Sequence, residues 1–294
     1  MRVRGMAASF SVVCLTGVTQ AQPVINLPPN TINAGTVLPA GATVNVSAGG
    51  VIPLSVDLTG GILNISGGKV AVGATGIPTG FTNSNNTVTV TGGQVGGFFQ
   101  LTNGTVLNLS AGQMESFGVF SGSTANITGG LVTRFPDTFS SGTVNLSGGD
   151  VLSIRAFGGS TINITGTAFT FNGSTIAGLS ESPTLFTSRS GGILRVTLLD
   201  GNEFVWTLRT GDPGFFAPDP GFASTTAAVN LILVTPVEPC PADVNGDGTL
   251  SPADFSSWIQ AFNSADPACD QNQDGLCTAA DFSSWVQNFN AGCP

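Results

Sequence analysis

A short segment recurs between residues 43 and 166 of this 294-residue chain and constrains the fold more than any other feature. In its clearest copy, residues 143–149, it reads Thr-Val-Asn-Leu-Ser-Gly-Gly. The copies carry a central marker residue, at Asn45, Asn64, Thr89, Asn108, Asn126, Asn145 and Asn163. These markers are separated by steps of 19, 25, 19, 18, 19 and 18 residues, and the long step predicts one polar loop over residues 79–86. A period this constant indicates stacked repeats.

Each repeat has the pattern of a half-buried strand followed by a turn. Val144 and Leu146 alternate with polar neighbours, which is the period-two signature of a strand with one buried face. After the paired glycines, apolar residues return three positions apart, as in Val95, Phe98 and Leu101; Met114, Phe117 and Phe120; Val132 and Phe135, with Phe139 one place late; and Val151, Ile154 and Phe157. Coils stacked about 4.8 Å apart bury such columns in one core. We therefore predict a mainly β fold, a parallel β-helix (β-solenoid) with about 18–19 residues per coil, right-handed by the usual crossover rule.

The chain ahead of the repeats divides into a leader and a covering segment. Residues 1–21 begin with basic residues, continue through a short apolar run that contains Cys14 and end in small residues, which predicts a secretory signal peptide. The run is too short to cross a bilayer, so we predict no membrane span in the mature chain. The β-helix is predicted over residues 22–166, with the proline-rich residues 22–42 covering its first coil.

Beyond residue 166 the repeat pattern stops. Two apolar runs, 192–199 and 203–208, flank an Asp-Gly-Asn turn at residues 200–202 and predict a β-hairpin. We interpret residues 167–234 as a C-terminal cap, because the last unit of a repeat array must shield an open edge.

The chain ends in a predicted linker, residues 235–239, and a small domain, residues 240–294. The four cysteines of the predicted mature chain all lie in this domain, which favours disulfides in an exported protein. Four cysteines allow three pairings. We favour Cys240 with Cys293, which joins the ends of the domain, and Cys269 with Cys277. Zinc is the alternative ligand for the four sulfurs, although their spacing lacks a paired C-x-x-C.

Two segments of this domain, loop 1 (residues 243–254) and loop 2 (residues 270–281), have the spacing of calcium-binding loops. Oxygen ligands fall at loop positions 1, 3, 5 and 12, glycine at position 6 and a backbone carbonyl ligand at position 7. The predicted ligands of two calcium ions are Asp243, Asn245, Asp247, Thr249 and Asp254 in loop 1, and Asp270, Asn272, Asp274, Leu276 and Asp281 in loop 2. Surface turns rich in Asp, Asn and Gly are the alternative, which the repetition of the register after 27 residues disfavours.

An amphipathic helix is predicted after each loop, with Ser251 and Thr278 as the residues that cap its start. Its apolar residues fall at i, i+3, i+4 and i+7, which places them on one face. They are Phe255, Trp258, Ile259 and Phe262 in the first copy, and Phe282, Trp285, Val286 and Phe289 in the second. We expect the two faces to pack on each other. No comparable helix precedes loop 1, so the loops are predicted to be half EF-hands.

With both loops, both helices and the bracketing cysteines, residues 240–293 resemble a type I dockerin, in the Cys-flanked form found at the C-termini of exported planctomycete proteins. The repeats ahead of them look like β-helix repeats of such proteins. The resemblance implies calcium binding and docking to a cohesin on a scaffold, usually in polysaccharide-degrading assemblies. The residues that it implies for partner binding are Pro252, Ala253, Ser256, Ala279, Ala280 and Ser283.

The remaining polar and aromatic residues give weaker indications of function. The Asn column is interpreted as amide stacking between coils, with a ligand-binding stripe or N-glycosylation as alternatives. The chain has no His or Tyr, and its net charge of −9 argues against nucleic acid as a partner. The acids of the repeats, at Asp57, Glu115, Asp137 and Asp150, form no column that could supply paired catalytic carboxylates. Asp200 and Glu203 are interpreted as solvated turn acids, and Phe215 and Phe216 as part of the cap rather than a carbohydrate platform.

Two functional hypotheses follow from these patterns. The first is a non-catalytic β-solenoid, secreted or at the cell surface, that is tethered through its calcium-binding dockerin-like module to a cohesin-like or other cell-surface protein. The second is a carbohydrate-active enzyme or carbohydrate-binding subunit, with a polysaccharide as its ligand, in a dockerin-assembled degradative complex.

Overall fold

The computed structural model describes residues 22–53, 56–71, 82–97, 99–120, 122–188, 191–208, 222–235 and 240–292. The predicted signal peptide, Phe98, the pair Phe215 and Phe216, and Cys293 lie outside the described residues, as do residues 236–239 of the predicted linker and residues 79–81 of the predicted polar loop. The prediction of a loop is wrong for Thr82–Ser84, which form a strand of the smaller sheet. The chain divides into two compact units, Met1–Val234 and Thr235–Pro294.

The first unit is built from short strands that return at a regular interval. In chain order they are β1 (Val24–Leu27), β2 (Thr43–Val46), β3 (Val51–Ile52), β4 (Asp57–Thr59), β5 (Ile62–Val70), β6 (Thr82–Ser84), β7 (Thr87–Val95), β8 (Phe99–Thr102), β9 (Val106–Met114), β10 (Phe117–Val119), β11 (Thr124–Val132), β12 (Pro136–Thr138), β13 (Thr143–Val151), β14 (Arg155–Ala156), β15 (Thr161–Phe171), β16 (Ser174–Thr175), β17 (Thr184–Leu185), β18 (Ile193–Leu198), β19 (Glu203–Thr207), β20 (Phe222–Ala223) and β21 (Ala228–Leu233). The described strands form two sheets, of fourteen and seven strands.

The larger sheet confirms the predicted parallel β-solenoid. Its marker residues pair in parallel register from coil to coil, in the order Asn26, Asn45, Asn64, Thr89, Asn108, Asn126, Asn145, Asn163 and Asn230. The seven strands of the smaller sheet also pair in parallel. Strand β1 is therefore a strand of the larger sheet, whereas residues 22–42 were predicted only to cover the first coil.

The inward side chains of successive coils form the core. At the position before each marker from Asn45 to Asn230, the side chain is completely buried; these residues are Val44, Leu63, Val88, Leu107, Ala125, Val144, Ile162 and Val229. In the smaller sheet Phe99 pairs with Phe117, and both are buried. The alternation along a strand and the parallel stacking together explain this continuous column.

The predicted apolar column fails at its third position in three of its four coils. Phe120, Phe139 and Phe157 are only half-buried. Their rings are stacked on one another with centroids 4.3 and 4.6 Å apart. Because Phe117 and Val119 point inward in β10, the strand alternation turns Phe120 outward. The spacing of three was correct for the first step at Phe117 and Ile154, which are buried, but wrong at Phe135, which is half-buried. At the second step it was correct only for Leu101, which is completely buried.

The paired glycines are required by the close approach of neighbouring coils. A Cβ atom on Gly67 would lie 2.7 Å from the backbone nitrogen of Ala48. Gly93 has a φ of +76°, and a Cβ there would lie 2.6 Å from the carbonyl carbon of Gly67. Glycine alone accepts both the positive φ and this packing.

Strand β15, which also pairs with β13 and β16, has different partners along its two halves beyond β13. Its first half pairs in parallel with β21, and its second half pairs antiparallel with β18. Strands β18 and β19 form the predicted hairpin. At its turn the Asp200 carboxylate accepts a hydrogen bond from the backbone N–H of Gly149, which ties the hairpin to the coil of β13.

The second unit contains two helices, α1 (Pro252–Ser264) and α2 (Ala279–Ala291), and a 3-10 turn, Pro267–Cys269. Ala242, Trp258 and Trp285 form its buried core. The aromatic faces meet as predicted, with the Phe255 ring 5.1 Å from that of Trp285.

The predicted burial of the whole apolar face is wrong in part. Ile259, Phe262, Phe282 and Val286 are 36–43% exposed. A unit with so few residues has too little interior to cover every apolar side chain of both helices. None of the helices in the described part of the chain is long and apolar enough to cross a membrane.

Candidate metal centre

The first predicted ligand of each loop accepts hydrogen bonds from backbone N–H groups further along the same loop. Asp243 accepts hydrogen bonds from the backbone N–H groups of Asp247, at 3.1 Å, and Gly248, at 2.8 Å. The equivalent contacts of Asp270 in loop 2 have the same lengths, 3.1 and 2.8 Å. Two separate segments thus adopt the same turn, as the repeated spacing predicts.

The ligands at positions 3 and 5 are held in the same way. Asn245 Oδ1 accepts from the Asp247 N–H at 2.9 Å, and Asn245 Nδ2 donates to Asp247 Oδ2 at 2.8 Å. In loop 2 the two contacts between Asn272 and Asp274 are both 3.0 Å. Asp247 Oδ1 also accepts from the Thr249 N–H at 2.8 Å. Each side chain that the sequence assigns to the metal is therefore fixed by a backbone amide.

Asp254, the last predicted ligand of loop 1, is completely buried and also caps helix α1. Its Oδ2 accepts from the Ser251 N–H at 2.8 Å, and its Oδ1 from the Asn245 N–H at 3.4 Å. Burial by itself would raise the pKa of Asp254, but these N–H groups outweigh burial and hold the pKa below its usual value of 3.8. The carboxylate is thus kept ionised, as a cation ligand must be.

The equivalent residue of loop 2, Asp281, repeats this arrangement at helix α2. Its Oδ2 accepts from the Thr278 N–H at 2.7 Å, and its Oδ1 from the Asn272 N–H at 3.2 Å. The hydrogen bond from the Thr278 backbone is the main reason why the pKa of Asp281 lies below 3.8, against the opposing effect of burial. Both caps were predicted at Ser251 and Thr278; the double use of the acids was not.

The donor set fits calcium in its chemistry. Each loop offers three carboxylates, one amide oxygen and one backbone carbonyl, all of them hard oxygen donors. Gly248 and Gly275, at position 6, have φ values of +79° and +85° and make the sharp turn that such loops need. Within the described ranges no group of three or more His, Cys, Asp or Glu side chains has the arrangement of a metal site.

A crossed pair of tryptophans links the two loops. Trp258 of α1 donates from Nε1 to the carbonyl of Cys269 at 3.1 Å, and Trp285 of α2 donates to the carbonyl of Ala242 at 3.2 Å. Cys269 and Ala242 each directly precede the first ligand of a loop. Each helix therefore fixes the start of the loop that belongs to the other repeat. Sequence reasoning missed this contact, although a buried indole N–H needs a partner and so signals one.

A second contact between the two repeats involves Gln271 of the second repeat and has no counterpart in the first. Gln271 Nε2 donates to the carbonyl of Pro241 at 2.7 Å, and Asn288 Nδ2 donates to Gln271 Oε1 at 3.1 Å. The positions that correspond to Gln271 and Asn288 in the first repeat hold Val244 and Ala261, which pack without hydrogen bonds from their side chains. The two loops are thus alike in their ligands and unlike in their support.

The disulfide predicted between Cys269 and Cys277 is present, with its Cα atoms 5.6 Å apart. Because both sulfurs are used in it, zinc binding by all four cysteines is wrong. Cys240 is disulfide-bonded as well. Its predicted partner, Cys293, lies outside the described residues, so that pairing stays a prediction.

The residues that the dockerin resemblance implies for partner binding are at the surface. Pro252, Ala253, Ser256, Ala279, Ala280 and Ser283 are all exposed. They lie in the first turns of α1 and α2, and the exposed Ile259 and Val286 follow on the same helices. The unit therefore presents small and apolar side chains on both helices, and residues 240–294 contain no Lys or Arg.

The Asn column of the solenoid is occupied by its own hydrogen bonds. From Asn45 to Asn230, the Asn side chains donate from Nδ2 to Oδ1 of the Asn one coil earlier, at 2.7–2.9 Å, except around Thr89. This confirms the predicted amide stacking.

The acids of the solenoid are engaged in structural contacts or exposed. Glu115 pairs with Arg134 at 3.4 Å, and Asp137 pairs with the buried Arg155, with Oδ2 2.6 Å from Nη2. Glu203 pairs with Arg195 at 3.1 Å. Of the other acids considered for catalysis, Asp57 and Asp150 are exposed, and Asp200 contacts Gly149 as described above.

No protein-family model, curated protein or solved structure matches this chain.

Proposed function

We propose that residues 240–294 bind two calcium ions and act as a dockerin-like module, which anchors an exported or cell-surface, non-catalytic β-solenoid in a larger assembly. The observation that carries the proposal is the repeated frame of hydrogen bonds around the hard oxygen ligands of loop 1 and loop 2. Chance surface turns have no reason to share ligand spacing, glycine position and cap at an offset of 27 residues.

Calcium would be held in loop 1 by Asp243, Asn245, Asp247, the Thr249 carbonyl and Asp254, and in loop 2 by Asp270, Asn272, Asp274, the Leu276 carbonyl and Asp281. The ion supplies positive charge to a domain that has seven Asp and no Lys or Arg. The carboxylates of one loop repel one another without a cation, so calcium binding stabilises the folded domain.

Assembly is the role that the surface of this unit supports best. The exposed first turns of α1 and α2 are the faces for a cohesin-like domain or another cell-surface protein. The enzyme alternative receives no support from the solenoid, because Glu115, Asp137 and Glu203 are each paired with an arginine.

Isothermal titration of the full chain with Ca²⁺ tests the metal part of the proposal. We expect two ions per chain, and one ion after Asp247→Ala or Asp274→Ala, since each change removes a ligand from one loop. Pull-down with cohesin domains, with calcium and with EDTA, tests the assembly part. Absence of calcium binding by the unaltered chain contradicts the proposal.

A further inference from the structure

The two loops differ in how their ends are held. Cys269 and Cys277 directly flank the segment 270–276, which carries the first four predicted ligands of loop 2. The matching positions in loop 1 are Ala242 and Leu250. Ala242 and Cys269 are equally buried, and each accepts a hydrogen bond from a tryptophan of the other repeat.

A covalent bond thus stands in loop 2 where loop 1 has only packing. Ala242 and Leu250 belong to the apolar cluster of the unit, so loop 1 relies on that contact to keep its ends together. The disulfide closes a sequence separation of only 8 residues in loop 2. It therefore removes most of the open conformations that segment 270–276 would otherwise sample before it binds an ion.

Pre-organised loops lose less conformational entropy when they bind. Gln271 adds to this support, because its backbone N–H donates to Asp281 Oδ1 at 2.9 Å while its side chain reaches Pro241. Val244, at the matching position of loop 1, has no side-chain hydrogen bond to offer.

We propose that the disulfide between Cys269 and Cys277 makes loop 2 the tighter of the two calcium sites, so that loop 2 fills first and loop 1 second. This inference rests on the proposed calcium binding. It assigns a role in metal affinity to a disulfide that holds no metal itself.

The decisive variant gives loop 2 the flanking residues of loop 1, through Cys269→Ala together with Cys277→Leu. Calcium titration of the full chain is expected to show two dissociation constants that differ by about tenfold or more. Asp247→Ala removes a ligand of loop 1 and should leave only the tight site of loop 2. Asp274→Ala removes a ligand of loop 2 and should leave only the weak site of loop 1. The double cysteine variant weakens the tight site about tenfold and leaves the weak site unchanged.

Each outcome of this experiment is informative. Two ions bound with equal affinity, or a tight site that survives Asp274→Ala, overturns the inference and leaves the proposed function intact. A double cysteine variant that binds calcium with the same two affinities as the unaltered chain also overturns the inference and leaves the proposed function intact. Absence of calcium binding in the unaltered chain overturns the proposed function itself.

A loss of structure in the double variant does not hide the result. Helical circular dichroism then serves as the readout, and the calcium concentration at half-refolding replaces the dissociation constant. A midpoint raised relative to that of Leu250→Ala, which disturbs the matching position of loop 1, supports the inference. An equal midpoint overturns it.

Discussion

The two units of this protein both consist of repeats, but they connect their repeats differently. In the solenoid each coil pairs in register with the next, so Asn145 contacts Asn126 and Asn163 and the pattern continues. In the C-terminal unit the two repeats exchange contacts, and each tryptophan fixes the start of the opposite loop. A defect in the solenoid should therefore stay local, whereas a defect in one helix of the C-terminal unit should reach the loop of the other repeat.

The largest expected effect is the selective unfolding of the C-terminal unit when calcium and disulfides are removed. EDTA combined with a disulfide reductant should unfold residues 240–294 and leave the solenoid folded, because the proposed calcium loops and the disulfide of the described residues lie in the small unit. Helical circular dichroism should disappear, and limited proteolysis should remove the C-terminal unit. EDTA alone and reductant alone are the controls. Unchanged circular dichroism and proteolysis under the combined treatment would contradict this prediction.

The second effect lies inside the solenoid core. Phe117 is completely buried between Phe99 and Pro136, so Phe117→Ala should lower the free energy of unfolding by about 3–5 kcal/mol. Phe120→Ala, three residues away, is the matched control, because that ring is half-buried and stacks on the outside. Its effect should be at most half as large in denaturant unfolding of the two variants. Equal losses would show that the aromatic stack is part of the core.

The third effect tests whether the contacts in the C-terminal unit are crossed. Trp285→Phe keeps an aromatic ring but leaves the buried carbonyl of Ala242 without its donor, which costs about 1–3 kcal/mol. Because Ala242 precedes loop 1, calcium affinity should fall mainly in loop 1, although Trp285 follows loop 2. Trp258→Phe should act mainly on loop 2. Calcium titration in the Asp247→Ala and Asp274→Ala backgrounds assigns each loss to one loop, and losses confined to each tryptophan's own repeat would refute the crossed arrangement.

The spacing of the markers was enough to predict the parallel register of the solenoid, because a period of 18–19 residues leaves one way to stack Asn126, Asn145 and Asn163. The repeat pattern did not identify two further strands that belong to the same parallel stack. Asn26 lies in a strand without the paired glycines, and Asn230 pairs with Asn163 across 67 residues of chain. Both segments carry the apolar-Asn-apolar triplet, at residues 25–27 and 229–231, but neither has the paired glycines that follow it in the clearest copies.

In the candidate site, too, features set by neighbouring residues could be predicted, and contacts between distant residues could not. The turn around Asp243 and the cap at Ser251 depend on spacing within a few residues, so the sequence was enough to predict them. The contacts of Trp285 with Ala242 and of Gln271 with Pro241 join distant residues. They depend on how the two repeats meet, and the pattern within one repeat does not contain that information.

A smaller effect is expected at the Asn ladder. Asn145→Ala removes two amide hydrogen bonds and should lower the stability of the solenoid by about 1–2 kcal/mol. Asn145→Thr is the control, because the chain itself places Thr89 at this position of another coil. Thermal unfolding of both variants measures the difference. A threonine variant as unstable as the alanine variant would mean that the coil of Thr89 has compensation of its own.

The smallest effect concerns the pH dependence of the solenoid. Burial raises the pKa of Asp137 above 3.8, and Arg155 opposes this shift without cancelling it. A carboxyl whose pKa is higher in the folded state stabilises the fold fully below the pKa of the unfolded state, and this contribution is lost as the pH rises through the folded pKa. The stability of the unaltered chain relative to Asp137→Asn should therefore be greater at about pH 3 than at pH 7. Denaturant unfolding at both values measures the difference. The opposite sign would mean that the ion pair with Arg155 outweighs burial, so that this acid of the solenoid is governed by its partner, as Asp254 of loop 1 is by its N–H donors.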